Sequence, residues 1–218
     1  DPAAQAGRTA PPGVSATCNR QLIVMARWPA PGRCKRRLAQ ELGAARAAQI
    51  QARLTVHTLA AAREARQGHG LELVLAVEGL GSRAARRWGQ AHGADRTVLQ
   101  GRGALGLRMQ RQFQRAAREG ASQMVLIGSD LPQLEASDLS AAFTVLGQRR
   151  GVLGPALDGG YWLIGLRRPE PELLAGIDWG SALVLEQTVA AMARRGLEPE
   201  LLSRRGDLDW ARDLLPWR

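Results

Sequence analysis

Two rhythms of apolar spacing run through the chain. Short unbroken apolar runs occupy 21–26 (QLIVMA), 71–77 (LELVLAV) and 123–128 (QMVLIG). Runs of that length and composition predict buried strands. The same reasoning adds strands at TVLQ (97–100), at GVLGPA (151–156) and YWLIGL (161–166) on either side of the turn LDGG, and near 200–202. Between the strands the spacing lengthens to that of a helix. Residues 44–66 carry Ile50, Leu54, Val56 and Leu59 among alanines and predict a helix closed by Gly68. SRAARRWGQAH (82–92) is amphipathic, and Leu105, Met109 and Phe113 mark one helical face over 105–120. Further helices are expected at about 137–146 and 182–194, with a last helical turn in DLDWARDLLPWR. Strands alternating with helices predict an α/β fold, a three-layer sandwich around a mainly parallel sheet. Ligands of such sheets bind beyond the carboxyl ends of the strands.

The length of 218 residues suits one domain, read as 20–218. Residues 1–19 contain no apolar signal core and read as a flexible leader. No apolar stretch is long enough for a membrane span, and two cysteines make no disulfide framework, so a reduced cytoplasmic setting is the simplest expectation. The net charge of +10 raises nucleic acid as a partner, but the arginines are scattered, with no basic tail and no interleaved aromatics. Such a charge equally suits a small anionic substrate carrying phosphates.

Four stretches carry candidate chemistry. In ARWPAPGRCKRRL (26–38) a strand runs into a loop where Pro29, Pro31 and Gly32 restrict the backbone, followed by Arg33, Lys35, Arg36 and Arg37. Bare backbone and cations together suit phosphate, and Lys35 is the only lysine of the chain. The glycine spacing is neither a Walker loop nor a dinucleotide fingerprint. In VLIGSDLP (125–132) an apolar run ends on Asp130. A carboxylate at that place holds a divalent ion bridging to a diphosphate, or else caps the next turn. Asp158, Gly159 and Gly160 form a ready hairpin turn, but with Tyr161 and Trp162 they also bring a carboxylate, bare backbone and aromatic faces together, suiting a sugar or a second metal contact. Asp209 in DLDWARDL is a helix N-cap or a site residue. His57, His69 and His92 show neither ligand spacing nor a nucleophile partner, which leaves a Ser-His-Asp or Cys-His hydrolase without support.

Taken in order, ARWPAPGRCKRRL, GALGLRM, VLIGSDLP, GPALDGGYWLIGL, IDWGS and DLDWARDL resemble a family of small GT-A-type glycosyltransferases, called rSAM/selenodomain-associated or arsenosugar-biosynthesis transferases. That family is related to the molybdenum-cofactor guanylyltransferases through the nucleotide-diphosphosugar transferase fold. The resemblance spans about 22–214. It implies that Pro31, Gly32, Arg33, Lys35 and Arg37 meet the nucleotide, and that Asp130 is the metal carboxylate. Asp158, Gly159, Gly160 and Tyr161 would fall on the sugar or acceptor side. Arg36 stands where the family pattern has threonine, and Ala104 where it has an acidic residue. The function expected is transfer of a glycosyl group from a nucleotide-diphosphosugar to a small acceptor, with Mg²⁺ or Mn²⁺ held by Asp130 and Asp158. The alternatives are a nucleotidyltransferase that releases pyrophosphate from a nucleoside triphosphate, and a non-catalytic module that binds nucleic acid.

Overall fold

The structure, a computed structural model, describes residues 19–217. The stretch read as a leader lies, apart from Asn19, outside them. In chain order the elements are β1 (Arg20–Arg27), α1 (Arg36–Leu42), α2 (Ala44–His69), β2 (Glu72–Glu78), α3 (Ser82–Ala91), β3 (Arg96–Leu99), α4 (Leu105–Arg118), β4 (Gln123–Ile127), α5 (Ala136–Gln148), β5 (Gly151–Pro155), β6 (Tyr161–Leu166), α6 (Val184–Ala193) and β7 (Glu200–Leu201), with a 3₁₀ segment at Ala211–Trp217.

One seven-stranded sheet, ordered β3-β2-β1-β4-β6-β5-β7, forms the middle layer. β1 pairs in parallel with β2 and β4, β2 with β3, and β5 with β7. Only β6 runs antiparallel, against β4 and β5. Strands buried on both faces need apolar residues at every position, which is why the strand runs are unbroken rather than alternating. Leu22, Val24 and Ala26 pack toward α2, α3 and α5, through Leu59, Ala62, Ala85, Leu139 and Phe143. Ile23 and Met25 face the opposite way, onto Met109 and Phe113 of α4 and Met192 of α6. The α/β three-layer expectation is therefore met. No helix among the described residues is long and apolar enough to cross a membrane.

Two local readings change. α2 runs past Gly68 to His69 and closes at Gly70, whose left-handed φ of 56° lets its N–H bond back to the Arg66 carbonyl. A glycine inside a helix costs only about 1 kcal/mol, and the left-handed stop falls where β2 must begin. In addition, the basic stretch after β1 is not all loop. Arg36 and Arg37 open α1, whose Leu38 is fully buried against Ala47 and Leu54 of α2 and against Leu208.

Candidate functional site

The strand directions concentrate chemistry at one edge. β1, β2, β3 and β4 all end there, as do β5 and β7, which run with them. Because β6 is antiparallel, its amino end, carrying Tyr161 and the turn before it, reaches the same edge. A cleft of about 570 Å³ opens there, a size suited to a small-molecule ligand. Lys35–Arg37, Ser129–Leu131, Asp158, Gly160–Ile164 and Asp207 with Asp209 line it.

Asp130 sits three residues beyond β4, and its turn is steadied by a buried bond from Gln51 Nε2 of α2 to Ser129 Oγ, 3.2 Å. No backbone N–H among the described residues donates to the Asp130 carboxylate, so it does not cap the next turn. Its Oδ1 lies 3.1 Å from Lys35 Nζ, while Oδ2 has no protein partner among those residues. Asp209 does not cap by side chain either: Asp213 Oδ2 accepts the N–H groups of Asp209 and Trp210. The freed Asp209 carboxylate meets Lys35 Nζ at 3.1 Å and Arg37 Nη1 at 3.5 Å. Burial works against charge on Lys35, yet Asp130 and Asp209 outweigh it and hold the ammonium above its ordinary pKa.

Asp207 belongs to the same cluster and is one of the lining residues the sequence reading missed. Leu208 is buried with Leu38 and Leu54, which stabilises the segment by about 2 kcal/mol. Its flanking carboxylates line the cleft. Arg205 fixes the approach, bonding to Pro155 and Leu157 by backbone and to Asp138 Oδ1 by its guanidinium at 2.6 Å. Burial, then the charges of Asp130 and Asp158, push the Asp207 carboxyl up to about 7, with Lys35 offsetting only part. No donor among the described residues touches it. Asp158 lines the cleft and uses Oδ1 to accept the Gly160 N–H at 2.9 Å, so it shapes the hairpin turn while Oδ2 has no partner among the described residues.

Among the described residues no three His, Cys, Asp or Glu side chains gather as a ready-made metal cage. The donor set nonetheless fits a hard divalent ion. Unpartnered oxygens of Asp130 and Asp207 lie close enough to repel, Lys35 offsets that only in part, and such ions complete their shell with water and phosphate oxygens.

The two ends of the cleft differ. At the β2 end, Glu78 Oε2 accepts from Arg27 Nε (3.0 Å) and from Arg108 Nη1 (2.8 Å). Burial raises the Glu78 pKa, but these arginines overcome it and set it below the usual value. Gln100 spends its amide on the Ala26 and Ala76 carbonyls and accepts from Arg108 at 2.7 Å. At the β6 end, Tyr161 and Trp179 meet edge to face, 6.3 Å apart. Burial raises the Tyr161 pKa, and its hydroxyl, near Thr188, makes no hydrogen bond of normal geometry.

Of the residues singled out from the sequence, Lys35, Arg37, Asp130, Asp158, Gly160 and Tyr161 line one cleft. Pro31, Gly32, Arg33 and Gly159 do not line it. The backbone carbonyl of Arg33 instead accepts from Arg27 Nη1, and the Gly159 carbonyl accepts the Leu185 N–H. Glu78, Gln100 and Arg108 join the lining without having been marked. A polar residue ending a strand was the available signal for Glu78 and Gln100.

Residues 58–181 match the family model DUF2064, described as an uncharacterized protein conserved in bacteria. No curated protein matches the chain. Among solved structures, a candidate nucleotide-diphospho-sugar transferase from Desulfovibrio desulfuricans G20 is 28% identical with a TM-score of 0.77, over 88% of this chain and 83% of that one. The 4-diphosphocytidyl-2C-methyl-D-erythritol synthase from Anaerococcus prevotii DSM 20548 has a TM-score of 0.61 at 8% identity, over 91% of this chain and 96% of that one. The inositol-1-phosphate CTP transferase from T. maritima has a TM-score of 0.55 at 13% identity, over 90% and 92%. At such identities the last two share the fold alone.

Proposed function

The chain belongs to the DUF2064 family, and from that footing we propose that it is a metal-dependent transferase acting on a nucleotide-diphosphosugar. The observation that carries the reading is the set of cleft carboxylates, Asp130, Asp158 and Asp207, sharing the carboxyl edge of the sheet with Lys35 and with Arg36 and Arg37 at the start of α1. The likeness to the D. desulfuricans protein supports it. Asp130 and Asp207, with Asp158 beside them, would hold Mg²⁺ or Mn²⁺. A bound divalent ion supplies charge to offset the departing diphosphate. The chain's own part is positioning: Arg36 and Arg37 of α1 face the diphosphate, and Glu78 with Arg108 face the nucleoside end. Tyr161 and Trp179, in edge-to-face contact, give the acceptor an apolar wall. Tyr161 stays protonated there, so it offers a hydroxyl rather than a charge. In the transfer the anomeric carbon's bond to the diphosphate oxygen breaks and one to an acceptor oxygen forms, the nucleoside diphosphate leaves, and the acceptor's proton passes to solvent.

The rSAM/selenodomain-associated or arsenosugar assignment belongs to the same proposal and rests on the ordered motifs. So does a single domain over 20–218, which the continuous sheet from β1 to β7 supports. The unpaired, buried Cys34 agrees with a reduced cytoplasmic setting. A second reading keeps the site and changes the bond broken: a nucleoside triphosphate gives up its nucleotidyl group and pyrophosphate leaves. The names of the A. prevotii and T. maritima proteins point that way. Measuring pyrophosphate release from nucleoside triphosphates against nucleoside diphosphate release from nucleotide sugars separates the two. Asp130→Ala should abolish the Mn²⁺-dependent part of any nucleotide-induced melting shift, measured from the variant's own apo melting point. If no nucleotide or nucleotide sugar shifts the wild-type melting point with Mn²⁺ present, both readings fail.

A further inference from the structure

A lone lysine in a basic loop after β1 is expected to touch phosphate, and the sequence reading gives Lys35 that task. Its surroundings do not leave it free to do so. The side chain is 4% exposed, and three oxygens surround Nζ: Leu208 O at 2.6 Å, Asp209 Oδ1 at 3.1 Å and Asp130 Oδ1 at 3.1 Å. An ammonium has three hydrogens, so these contacts use it up. The backbone is committed as well, since Lys35 takes a left-handed φ of 46° just before α1. A residue without glycine's freedom holds that conformation only where its surroundings over-determine it.

The contacts close a ring. Lys35 bonds the Leu208 carbonyl, the Leu208 N–H donates to the Asp130 carbonyl at 3.2 Å, and the Asp130 carboxylate returns to Lys35. The loop after β1, the turn after β4 and the segment after β7 are thus joined through one side chain. With Oδ1 of Asp130 held, Oδ2 is the oxygen left for the cleft. The next residue is the opposite case. Arg36 is exposed, lines the same cleft and has no partner among the described residues.

We propose that Lys35 is a positioning residue that aims Asp130 at the metal, and that Arg36 makes the phosphate contact instead. The assignment rests on the nucleotide-transferase reading above. It also accounts for an arginine where the resembling family has threonine: the guanidinium presents several donors to phosphate oxygens, which the saturated lysine cannot.

Inorganic pyrophosphate tests this without a choice of base. Its affinity is measured by titration calorimetry in EDTA and again with Mn²⁺. Three variants are compared, with melting curves to confirm folding. Arg36→Ala removes the proposed contact. Arg33→Ala removes the same charge from the same loop but outside the cleft lining. Lys35→Met combined with Asp209→Asn removes one positive and one negative charge together, so the local field is nearly kept. In EDTA, Arg36→Ala should bind about tenfold more weakly, Arg33→Ala and the double variant within about twofold of wild type. The double variant should instead lose about tenfold or more of the gain that Mn²⁺ brings. The proposal is overturned if the double variant loses metal-free affinity as Arg36→Ala does. It is equally overturned if Arg36→Ala behaves like Arg33→Ala, a comparison of two surface changes that stands even if the double variant does not fold. Wild-type protein that binds no pyrophosphate in either condition would remove the transferase reading and this assignment with it. Binding with the roles reversed would remove only the assignment.

Discussion

Replacing Asp207 by asparagine should make the metal-free protein more stable at neutral pH. The carboxyl is pushed up to about 7 in the folded protein, against an ordinary value of 3.8. Burial is the main cause, and the charges of Asp130 and Asp158 add to it. The folded state therefore holds a proton that the unfolded chain releases, and stability falls as pH rises from about 4 to about 7. At 1.36 kcal/mol per pH unit, the full effect is about 4 kcal/mol once both states are ionised. Asparagine keeps the shape and removes the charge, so the variant should match wild type near pH 3.5 and exceed it increasingly toward pH 8. In a domain of this size 1 kcal/mol moves the melting temperature by about 2–4 °C, so the gap at pH 8 should reach about 10 °C. Melting curves in EDTA across pH 3.5–8 measure it directly. Repeating them with Mn²⁺ should narrow the gap, because the ion offsets the charge only in wild type. Superimposable wild-type and Asp207→Asn profiles in EDTA would refute the reasoning, since they would mean Asp207 ionises as freely in the fold as outside it.

Two further outcomes test the scaffold. Gly159 sits at φ +90°, and a Cβ there would lie 2.1 Å from the Ala182 carbonyl oxygen. Gly159→Ala should therefore cost about 2–3 kcal/mol in urea unfolding, from backbone strain and overpacking together. At the opposite edge of the sheet, Gln21 is 1% exposed and donates to Glu72 and Glu119 while accepting from Arg115. Gln21→Ala should cost about 1–3 kcal/mol by leaving those groups unsatisfied, with pyrophosphate binding unchanged.

The layered fold was legible because double-sided burial writes itself into the chain as unbroken apolar runs, such as 22–26 and 73–77, between stretches with helical spacing. What spacing does not encode is strand order. Asp130 could be found because a carboxylate ends an apolar run. Asp207 could not, since its place depends on β7 pairing with β5 and on Arg205 bridging to Pro155. Its neighbour Leu208 held the clue: an apolar residue between two aspartates anchors itself in the core and leaves both carboxylates to the cleft. In the basic loop, a count of cations cannot tell a saturated Lys35 from an Arg36 without a side-chain partner among the described residues; only the acceptors around each can. The stop at Gly68 failed for a similar reason, because Gly70 answers where β2 begins rather than what residue 68 prefers.

These local details give meaning to the charge of the whole chain. A net +10 draws anions toward the molecule from any direction, and over a Debye length of about 8–10 Å it acts without regard to which anion. The floor of the cleft works against that attraction, for burial and the charges of Asp130, Asp158 and Asp209 all raise the cost of ionising Asp207. An anion alone is therefore drawn to the arginine rim and resisted at the floor. A diphosphate that arrives with a divalent ion meets both demands, its oxygens toward Arg36 and Arg37 and its cation toward the carboxylates. On the proposed reading, a basic surface with an acidic floor would favour metal-bound diphosphates over diphosphates alone. Raising ionic strength should accordingly weaken metal-free pyrophosphate binding steeply and Mn²⁺-supported binding much less, because a divalent ion in direct contact with carboxylate and phosphate oxygens is screened less than the longer-range pull of the rim.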